Sequence, residues 1–188
     1  MSKIAVIGGG SFGTVVANII ALNGHDVQFW MRSSDLVNEV NECHENKQYL
    51  PGYALSRRVV ATESMADAVT KSSLIFVAVP SSSFREVVKQ IVVFAPDEVM
   101  LISTTKGIEP SSFKLMSQVL DEESPNSKIG VLSGPNLAKE IASKHPTGTV
   151  IASNIEEIRE TVKEVLRSDT FRVYTNDDMF GIELGGSL

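Results

Sequence analysis

Three glycines near the start of the chain have the spacing of a phosphate-binding turn. Gly8, Gly10 and Gly13 follow the apolar run 3–7 and open a segment whose apolar residues recur at helical spacing as far as Gly24. In such a turn the first glycine lets the chain leave a strand, the second lets the backbone approach a pyrophosphate, and the third lets helix and strand touch. The helix dipole adds a positive end that attracts phosphate. The pattern therefore predicts a dinucleotide site rather than a plain strand-to-helix turn.

Arg32 bears on which dinucleotide this site takes. It stands at the end of the second predicted strand, 24 residues after Gly8. A site that prefers NAD usually carries an acidic residue near this position, which binds the ribose 2′-hydroxyl. An arginine can instead pair with a 2′-phosphate and stack on adenine. The sequence predicts NADPH use, and the alternative is an exposed arginine that merely closes the strand.

Three more strand ends carry residues that could take part in chemistry. Pro80 is expected to stop the fourth strand and turn the chain over the cleft, although serines 81–83 also fit a simple helix cap. Lys106 follows the fifth strand, where it could meet an anionic substrate or donate a proton to a carbonyl oxygen, or be an isolated surface lysine. Gly134 and Pro135 follow the sixth strand and predict a helix start, which either binds an anion through free N–H groups or is capped without a ligand.

The periodicity of the chain predicts an alternation of strands and helices. Strands are expected at 3–7, 26–32, 59–61, 74–79, 99–103, 129–132, 149–152 and 171–174. Helices are expected after Gly10, after Ser33 or Ser34, at 64–71, 83–94, 111–120 and 135–144, and after an Asn154 cap with Glu157 completing a capping box. The run 74–79 is apolar without alternation, as in a strand buried on both faces. We therefore expect an α/β fold with a doubly wound, Rossmann-type parallel sheet and extra C-terminal strands.

Composition and charge exclude several classes of protein. The 188 residues are 43% hydrophobic and 21% charged, and 17 basic against 23 acidic residues give a net charge of −6 without a basic block. Nucleic acid is therefore a poor candidate partner. No stretch approaches the roughly 20 apolar residues of a membrane span, and the N-terminus lacks signal-peptide features, so we expect a cytoplasmic protein. Cys43 and His44 are interpreted as a solvated helix end rather than a metal or nucleophilic site.

Taken together, the motifs resemble one family, the bacterial-type NAD(P)-dependent glycerol-3-phosphate dehydrogenases, along essentially all 188 residues. The motifs that carry the resemblance, in chain order, are Gly8-Gly9-Gly10-Ser11-Phe12-Gly13-Thr14, Gly24-His25, Trp30-x-Arg32, Tyr49-Leu50-Pro51-Gly52, Val79-Pro80-Ser81, Thr105-Lys106-Gly107, Ser133-Gly134-Pro135, Phe171-Arg172-Val173-Tyr174 and Gly181-x-x-Leu184-Gly185-Gly186.

The resemblance implies hydride transfer between NADPH or NADH and dihydroxyacetone phosphate. The product, sn-glycerol 3-phosphate, would supply phospholipid head groups, and the full-length enzyme would form a homodimer. By matched position, the resemblance implies cofactor contacts at the glycine turn, Ser11, Phe12, Arg32, Pro80, Lys106 and Ala138, and substrate contacts at Lys106, Gly134 and Asn136. Many family members have a small hydroxyl residue where Asn136 stands.

The family also has parts that this chain does not contain. Its Gly-Gly motif runs into a lysine that acts as the main acid/base, followed by a helical domain that supplies an aspartate and an arginine for the substrate. Residues 1–188 are therefore expected to be the cofactor-binding domain, with 180–188 the truncated start of the helical domain, and the isolated chain is expected to be inactive. The alternatives are a non-catalytic dinucleotide-binding module and another two-domain dehydrogenase, acting on 6-phosphogluconate or ketopantoate. A lysine codon after Leu188 would favour the glycerol-3-phosphate dehydrogenase, and a stop codon would favour the non-catalytic module.

Overall fold

The computed structural model describes residues 3–187, which alternate between strands and helices. The strands are β1 Lys3–Ile7, β2 Val27–Trp30, β3 Val59–Thr62, β4 Ser72–Val77, β5 Met100–Ser103, β6 Lys128–Ser133, β7 Thr147–Ala152 and β8 Phe171–Asn176. The helices are α1 Ser11–Leu22, α2 Ser34–Cys43, α3 Met65–Val69, α4 Ser81–Phe94, α5 Met116–Glu123, α6 Ala138–Ala142, α7 Glu156–Leu166 and α8 Met179–Ser187. No helix within this part of the chain is long and apolar enough to cross a membrane.

The strands form one sheet in the order β3-β2-β1-β4-β5-β6-β7-β8. The strands from β1 to β6 are mutually parallel. The chain first builds outward from β1 through β2 to β3, and then resumes on the other side of β1 with β4. This reversal is a topological switch point, and it leaves a crevice beyond the carboxyl ends of β1 and β4. The predicted doubly wound architecture is confirmed.

Helices cover both faces of the sheet because successive side chains of each strand point to opposite faces. Ile4 and Val6 of β1 join a buried cluster on the face that α1 and α7 cover. Ala5 and Ile7 join a second cluster on the face that α3, α4 and α5 cover. A central strand with two buried faces has no polar alternation, which explains the continuous apolar run that the sequence shows at 74–79.

The last two strands depart from the expected parallel sheet. β7 is antiparallel to β6, and β8 is parallel to β7. The sequence predicts a helix over 135–144, but α6 has only five residues, or about 7.5 Å of helix at 1.5 Å per residue. A strand as long as β6 spans roughly 20 Å, so α6 cannot carry the chain back to the amino edge of the sheet. β7 therefore starts at the carboxyl edge and runs in the opposite direction.

Two predicted helix starts are wrong because local contacts compete with the helix. The helix expected from Ser111 begins at Met116. The Ser112 hydroxyl bonds to Glu109 instead of capping a helix, and Phe113 has a φ of 58°, which lies outside the right-handed helical region. The helix expected from Pro135 begins at Ala138, so Pro135 does not aim a helix N-terminus into the cleft.

Two predicted roles at element ends are also corrected. β4 ends at Val77, so Pro80 does not stop the strand; it occupies the N-cap position of α4, where its fixed φ suits a helix entry. Asn154 does not cap α7, because Ile155 holds the N-cap position. The Ser153 hydroxyl accepts a hydrogen bond from the N–H of Ile155, and Glu157 pairs with a lysine on β6 instead of completing a capping box.

The helix α8 packs on β6 and is tied to α5 by a buried carboxylate. Glu183 is 1% exposed. It accepts hydrogen bonds from the N–H of Ser117 at 3.0 Å, from the Ser117 hydroxyl and from the N–H of Met116. These donors belong to the first turn of α5, where N–H groups lack helical partners. The predicted helix at 180–188 is thus present as α8, while Leu188 lies outside the described residues.

Burial raises the pKa of Glu183 above its ordinary value of 4.5, and the hydrogen bonds from α5 only partly oppose this. A raised pKa means that the fold favours the protonated form, so the stabilisation is complete below about 4.5 and declines as the pH rises through the raised pKa. The free energy of unfolding, measured by urea titration relative to that of Glu183→Gln, should therefore fall as the pH rises above about 4.5. The matched control is Glu164→Gln, an exposed position of α7. An increase with pH in the free energy of unfolding of the wild type relative to Glu183→Gln would contradict this account.

Candidate functional site

The glycine turn lies at the switch point, and its three glycines have different surroundings. Gly8 has a φ of +124°, and a Cβ added to it would lie 2.3 Å from the carbonyl oxygen of Ala78. A Cβ on Gly13 would lie 2.0 Å from the carbonyl oxygen of Gly8. By contrast, a Cβ on Gly10 would have no neighbour within 4 Å. Two glycines therefore let β1, β4 and α1 pack together, and the third leaves open space above the helix start.

The N-terminus of α1 faces this open space without an internal cap. Gly10 is its N-cap residue, no side chain caps it, and its first turn holds no acidic residue. The first N–H groups of a helix have no partner within the helix and carry partial positive charge. The turn therefore offers N–H donors and room for an anionic group at the same point.

A buried asparagine, which sequence reasoning missed, supports the turn from behind. Asn46 is 0% exposed. Its Nδ2 donates to the carbonyl oxygen of Gly9 at 2.9 Å and to the Thr14 hydroxyl at 2.8 Å. Nearby, the Ser11 hydroxyl donates to the carbonyl oxygen of Tyr49 at 2.8 Å, so its proton is already used within the protein. The loop after α2 thus fixes the shape of the glycine turn.

Three adjoining cavities extend from the turn along the carboxyl ends of the strands. The first, about 260 Å³, is lined by Phe12, Ala78, Val79, Pro80, Thr104, Thr105, Lys106, Leu132 and Asn136. The second, about 370 Å³, lies over the glycine turn and includes Gly8, Gly10, Arg32, Tyr49 and Pro80 among its lining residues. The third, about 460 Å³, includes Lys106, Ser133, Gly134, Pro135, Gly181, Gly185 and Gly186. Shared lining residues join them into one cleft.

The structure brings most of the predicted site residues to this cleft, from separate parts of the chain. Arg32 is exposed in the second cavity, two residues beyond β2, and Lys106 is exposed between the first and third cavities, beyond β5. Within residues 3–187 neither cation has a salt-bridge partner. Ser11, Gly13 and Ala138 are not among the lining residues. The Ser11 hydroxyl bonds to the loop after α2, Gly13 is buried, and Ala138 starts α6 and packs against the core.

Lys106 is held near the glycine turn by hydrogen bonds between the ends of β5 and β4. The Thr104 hydroxyl donates to the carbonyl oxygen of Val77 at 3.0 Å. The Thr105 hydroxyl donates to the carbonyl oxygen of Val79 at 2.7 Å. Both threonines immediately precede Lys106, so the direction in which the chain leaves β5 is set by the same segment that leads to Pro80.

Beyond Lys106 the chain is anchored by ionic hydrogen bonds to α4. Arg85 donates to both carboxylate oxygens of Glu109, at 2.7 and 2.8 Å, and also pairs with Glu122 and Glu123 of α5. Hydrogen bonds from Arg85 and Ser112 lower the pKa of Glu109 from 4.5 to about 2, and the carboxylates raise the pKa of Arg85. Sequence reasoning missed this cluster because its members are far apart in the chain.

The Cys43 and His44 pair lies outside the cleft. Cys43 is the exposed last residue of α2, and His44 follows it in the left-handed conformation. This placement agrees with the interpretation as a helix end. No group of three or more histidine, cysteine, aspartate or glutamate residues suited to a metal ion occurs in the part of the chain that the structure describes.

Comparisons with known proteins place the chain beside one group of dehydrogenases. A family model described as NAD-dependent glycerol-3-phosphate dehydrogenase N-terminus matches residues 3–159. Glycerol-3-phosphate dehydrogenase (NAD(P)+) of Alcanivorax borkumensis is 50% identical over 184 residues, which cover 98% of this chain and 54% of that protein. The protein of the same name from Teredinibacter turnerae is 47% identical over 186 residues, with 99% and 55% covered.

The solved structures agree. A crystal structure of glycerol-3-phosphate dehydrogenase from Coxiella burnetii superimposes with a TM-score of 0.93 at 34% identity, covering 98% of this chain and 57% of that one. Glycerol-3-phosphate dehydrogenase from yeast gives a TM-score of 0.89 at 28% identity, with 98% and 59% covered. The chain thus spans about half the length of the curated relatives it matches.

The different surroundings of Gly13 and Gly10 predict different costs for the same substitution. Gly13→Ala should lower the free energy of unfolding by about 1–3 kcal/mol, because its new Cβ meets backbone that cannot move aside cheaply. Gly10→Ala should cost less than about 1 kcal/mol, since its Cβ enters open space and only the N-cap preference is lost. Urea unfolding of the two variants beside the wild type measures both values. Equal costs would mean that the close approach of α1 to β1 does not constrain the fold.

Proposed function

Because the chain belongs to the NAD-dependent glycerol-3-phosphate dehydrogenase N-terminus family, we propose that it forms the dinucleotide-binding part of an oxidoreductase. This enzyme interconverts dihydroxyacetone phosphate and sn-glycerol 3-phosphate with NADPH or NADH. The observation that carries the proposal is the cleft itself, in which an uncapped helix N-terminus with open space at Gly10 adjoins a cavity that contains Lys106. Function within a fold resides in such a site rather than in the fold alone.

The residues of the glycine turn fit a dinucleotide. Gly10 leaves room where a pyrophosphate would approach the N–H groups of α1, and Asn46 keeps the turn in that shape from the protein side. Arg32 lines the same cavity as the turn, and within residues 3–187 no carboxylate pairs with its guanidinium, which could therefore bind a 2′-phosphate. Phe12 and Pro80 provide apolar surface in the adjoining first cavity, where a nicotinamide ring would exclude water. A bound nicotinamide cofactor supplies the hydride that the reaction transfers.

Lys106 is suited to the reacting oxygen and to the charge of a phosphorylated substrate. It lines the mainly apolar first cavity, and no carboxylate in the described residues pairs with it. When a carbonyl is reduced, negative charge develops on its oxygen, and a cation positioned beside that oxygen stabilises the charge. Gly134 and Asn136 face the same cleft, and we assign them to the substrate side.

The complete enzyme would reduce the ketone in the cell and so supply sn-glycerol 3-phosphate for glycerophospholipid synthesis. It would be a cytoplasmic homodimer. The resemblance of the motifs to the family supports each of these features.

The proposed reaction is tested with the protein expressed from its complete gene. The wild type should oxidise NADPH when dihydroxyacetone phosphate is added, and Lys106→Ala should lower kcat/KM by about 10²–10³ because the developing charge loses its cation. The dissociation constant for NADPH should change much less. Lys106→Arg should rescue poorly, since a planar guanidinium cannot occupy the position of a compact ammonium. Absorbance of NADPH and fluorescence titration give the two readouts.

The matched control for Lys106 is Lys139→Ala, an exposed lysine of α6 that does not line the cleft. It should behave as the wild type. NADPH binding without any reduction of dihydroxyacetone phosphate would favour a non-catalytic dinucleotide-binding module. Oxidation of 6-phosphogluconate or reduction of ketopantoate in its place would favour a different two-domain dehydrogenase.

Arg32 should set the preference for NADPH. Arg32→Ala should weaken the binding of NADPH by about 1.5–3 kcal/mol, which is the range of a charge-assisted hydrogen-bonded pair. It should weaken the binding of NADH much less. Arg172→Ala, an exposed position of the edge strand β8, is the matched control. Calorimetric titration of each variant with both cofactors gives the values. Equal weakening of the two cofactors would show that Arg32 only stacks on adenine or closes the strand.

A further inference from the structure

The segment 106–114, which begins at Lys106, contains one buried side chain. The structure describes all of residues 106–114, and among them only Glu109 is buried, with 7% of its surface exposed. The neighbouring Ile108 and Phe113 are exposed large apolar residues that pack into no core. Apolar burial therefore does little to hold this segment, and its position depends on polar contacts.

Glu109 is held by a specific partner on a neighbouring helix. Arg85 donates two parallel hydrogen bonds to its carboxylate, at 2.7 and 2.8 Å, and the Ser112 hydroxyl donates a third. Inside the segment, Glu109 also bonds through its backbone to Lys114 and Phe113. A bidentate arginine fixes the angle as well as the distance of a carboxylate, which a single hydrogen bond cannot do. The contact thus orients the segment as a unit.

Arg85 also neutralises a cluster of like charges. Its guanidinium pairs with Glu122 and Glu123 of α5, and Lys114 pairs with Glu122 in turn. Without Arg85, three carboxylates would face one another with a single lysine between them. Their repulsion would push Glu109 outward, and with it the segment that starts at Lys106.

The helix of Arg85 itself forms part of the cleft. α4 begins directly after Pro80, which lines the first cavity together with Lys106. Arg85 is five residues further along the chain. The contact between Arg85 and Glu109 therefore joins two walls of the same cavity, one from α4 and one from the segment after β5.

We propose that Arg85 is a positioning residue, which acts through Glu109 to hold Lys106 at the cleft. The inference rests on the proposed function, in which Lys106 serves the reacting oxygen. Arg85 itself is not among the residues that line the three cavities, so a substrate or cofactor bound there would not touch it. Its loss should affect the reaction through the geometry of Lys106 and leave the glycine turn untouched.

The first test compares Arg85→Met, which keeps the length of the side chain without charge, with Arg85→Lys, which keeps the charge without the bidentate fork. In the protein expressed from its complete gene, Arg85→Met should lower kcat/KM for dihydroxyacetone phosphate by up to about 10²-fold, the loss typical of a misplaced catalytic group. The dissociation constant for NADPH should stay within about twofold of the wild type. Arg85→Lys should recover only part of the activity. Lys89→Met, on the exposed side of the same helix, is the control.

The decisive comparison repeats Arg85→Met in a Lys106→Ala background. If Arg85 acts through Lys106, its substitution should have little further effect there, because the group that it positions is already absent. Any of three results would overturn the proposal. They are an equal fold-loss of kcat/KM in both backgrounds, wild-type activity of Arg85→Met, and weaker NADPH binding in step with the loss of activity. Should Arg85→Met fail to fold, Glu109→Gln is measured in the same two backgrounds, with the same expectation.

A separate readout distinguishes failure of this inference from failure of the proposed function. If the wild type does not reduce dihydroxyacetone phosphate, the proposed function fails, and the positioning role is then tested by hydrogen exchange. Amides of residues 106–114 should exchange faster in Arg85→Met than in the wild type or in Lys89→Met, while those of α1 should not change. Unchanged exchange over 106–114 would overturn the positioning role.

Discussion

The close approach of three backbone segments at the carboxyl end of β1 is the constraint on which the site depends. Gly13 at the start of α1 lies against the carbonyl of Gly8, and Gly8 lies against the carbonyl of Ala78 beyond β4. No side chain fits between these segments. Because they are in direct contact, the helix N-terminus, the end of β1 and the end of β4 meet at one point, and the remaining open space is at Gly10.

The rest of the cleft is built outward from this contact by polar groups that join strand ends. Asn46 holds the glycine turn from one side. On the other side, the hydroxyls of Thr104 and Thr105, directly after β5, bond to the end of β4 and to the segment after it. Arg85 then extends the connection to the segment that follows Lys106. Such groups order irregular backbone where apolar burial is small, at the cost of needing every partner in place.

Much of the fold was predictable because its signals are local. The glycine spacing, the apolar run at 74–79 and the alternation of periodicities all lie within short windows of sequence, and they indicate a doubly wound sheet and the strand ends that carry Arg32 and Lys106. The direction of β7 was not predictable in this way, since it depends on how much of 135–144 is helical. Asn136 bonds to Gly134 and to Thr149 there, and these contacts compete with the helix.

The supporting residues of the site were hidden for a related reason. Asn46 bonds to a residue 37 positions away in the sequence, and Arg85 bonds to one 24 positions away. The residues beside each of them in the sequence therefore give no sign of the partner. An arginine within an amphipathic helix and an asparagine in a loop are both ordinary on the surface of a protein. Only the three-dimensional arrangement shows that they hold the glycine turn and the Lys106 segment in place.

The most direct test of the account is to map where NADPH binds by following backbone amide resonances during a titration. NADPH should produce the largest shifts at residues 8–13, at Arg32 and at 104–107, which lie at the ends of three strands, β1, β2 and β5, around one cleft. The cavity between α1 and the start of β8, lined by Tyr53 and Phe171, should show none. Shifts concentrated around Tyr53 and Phe171, or an unperturbed glycine turn at saturating NADPH, would contradict the account.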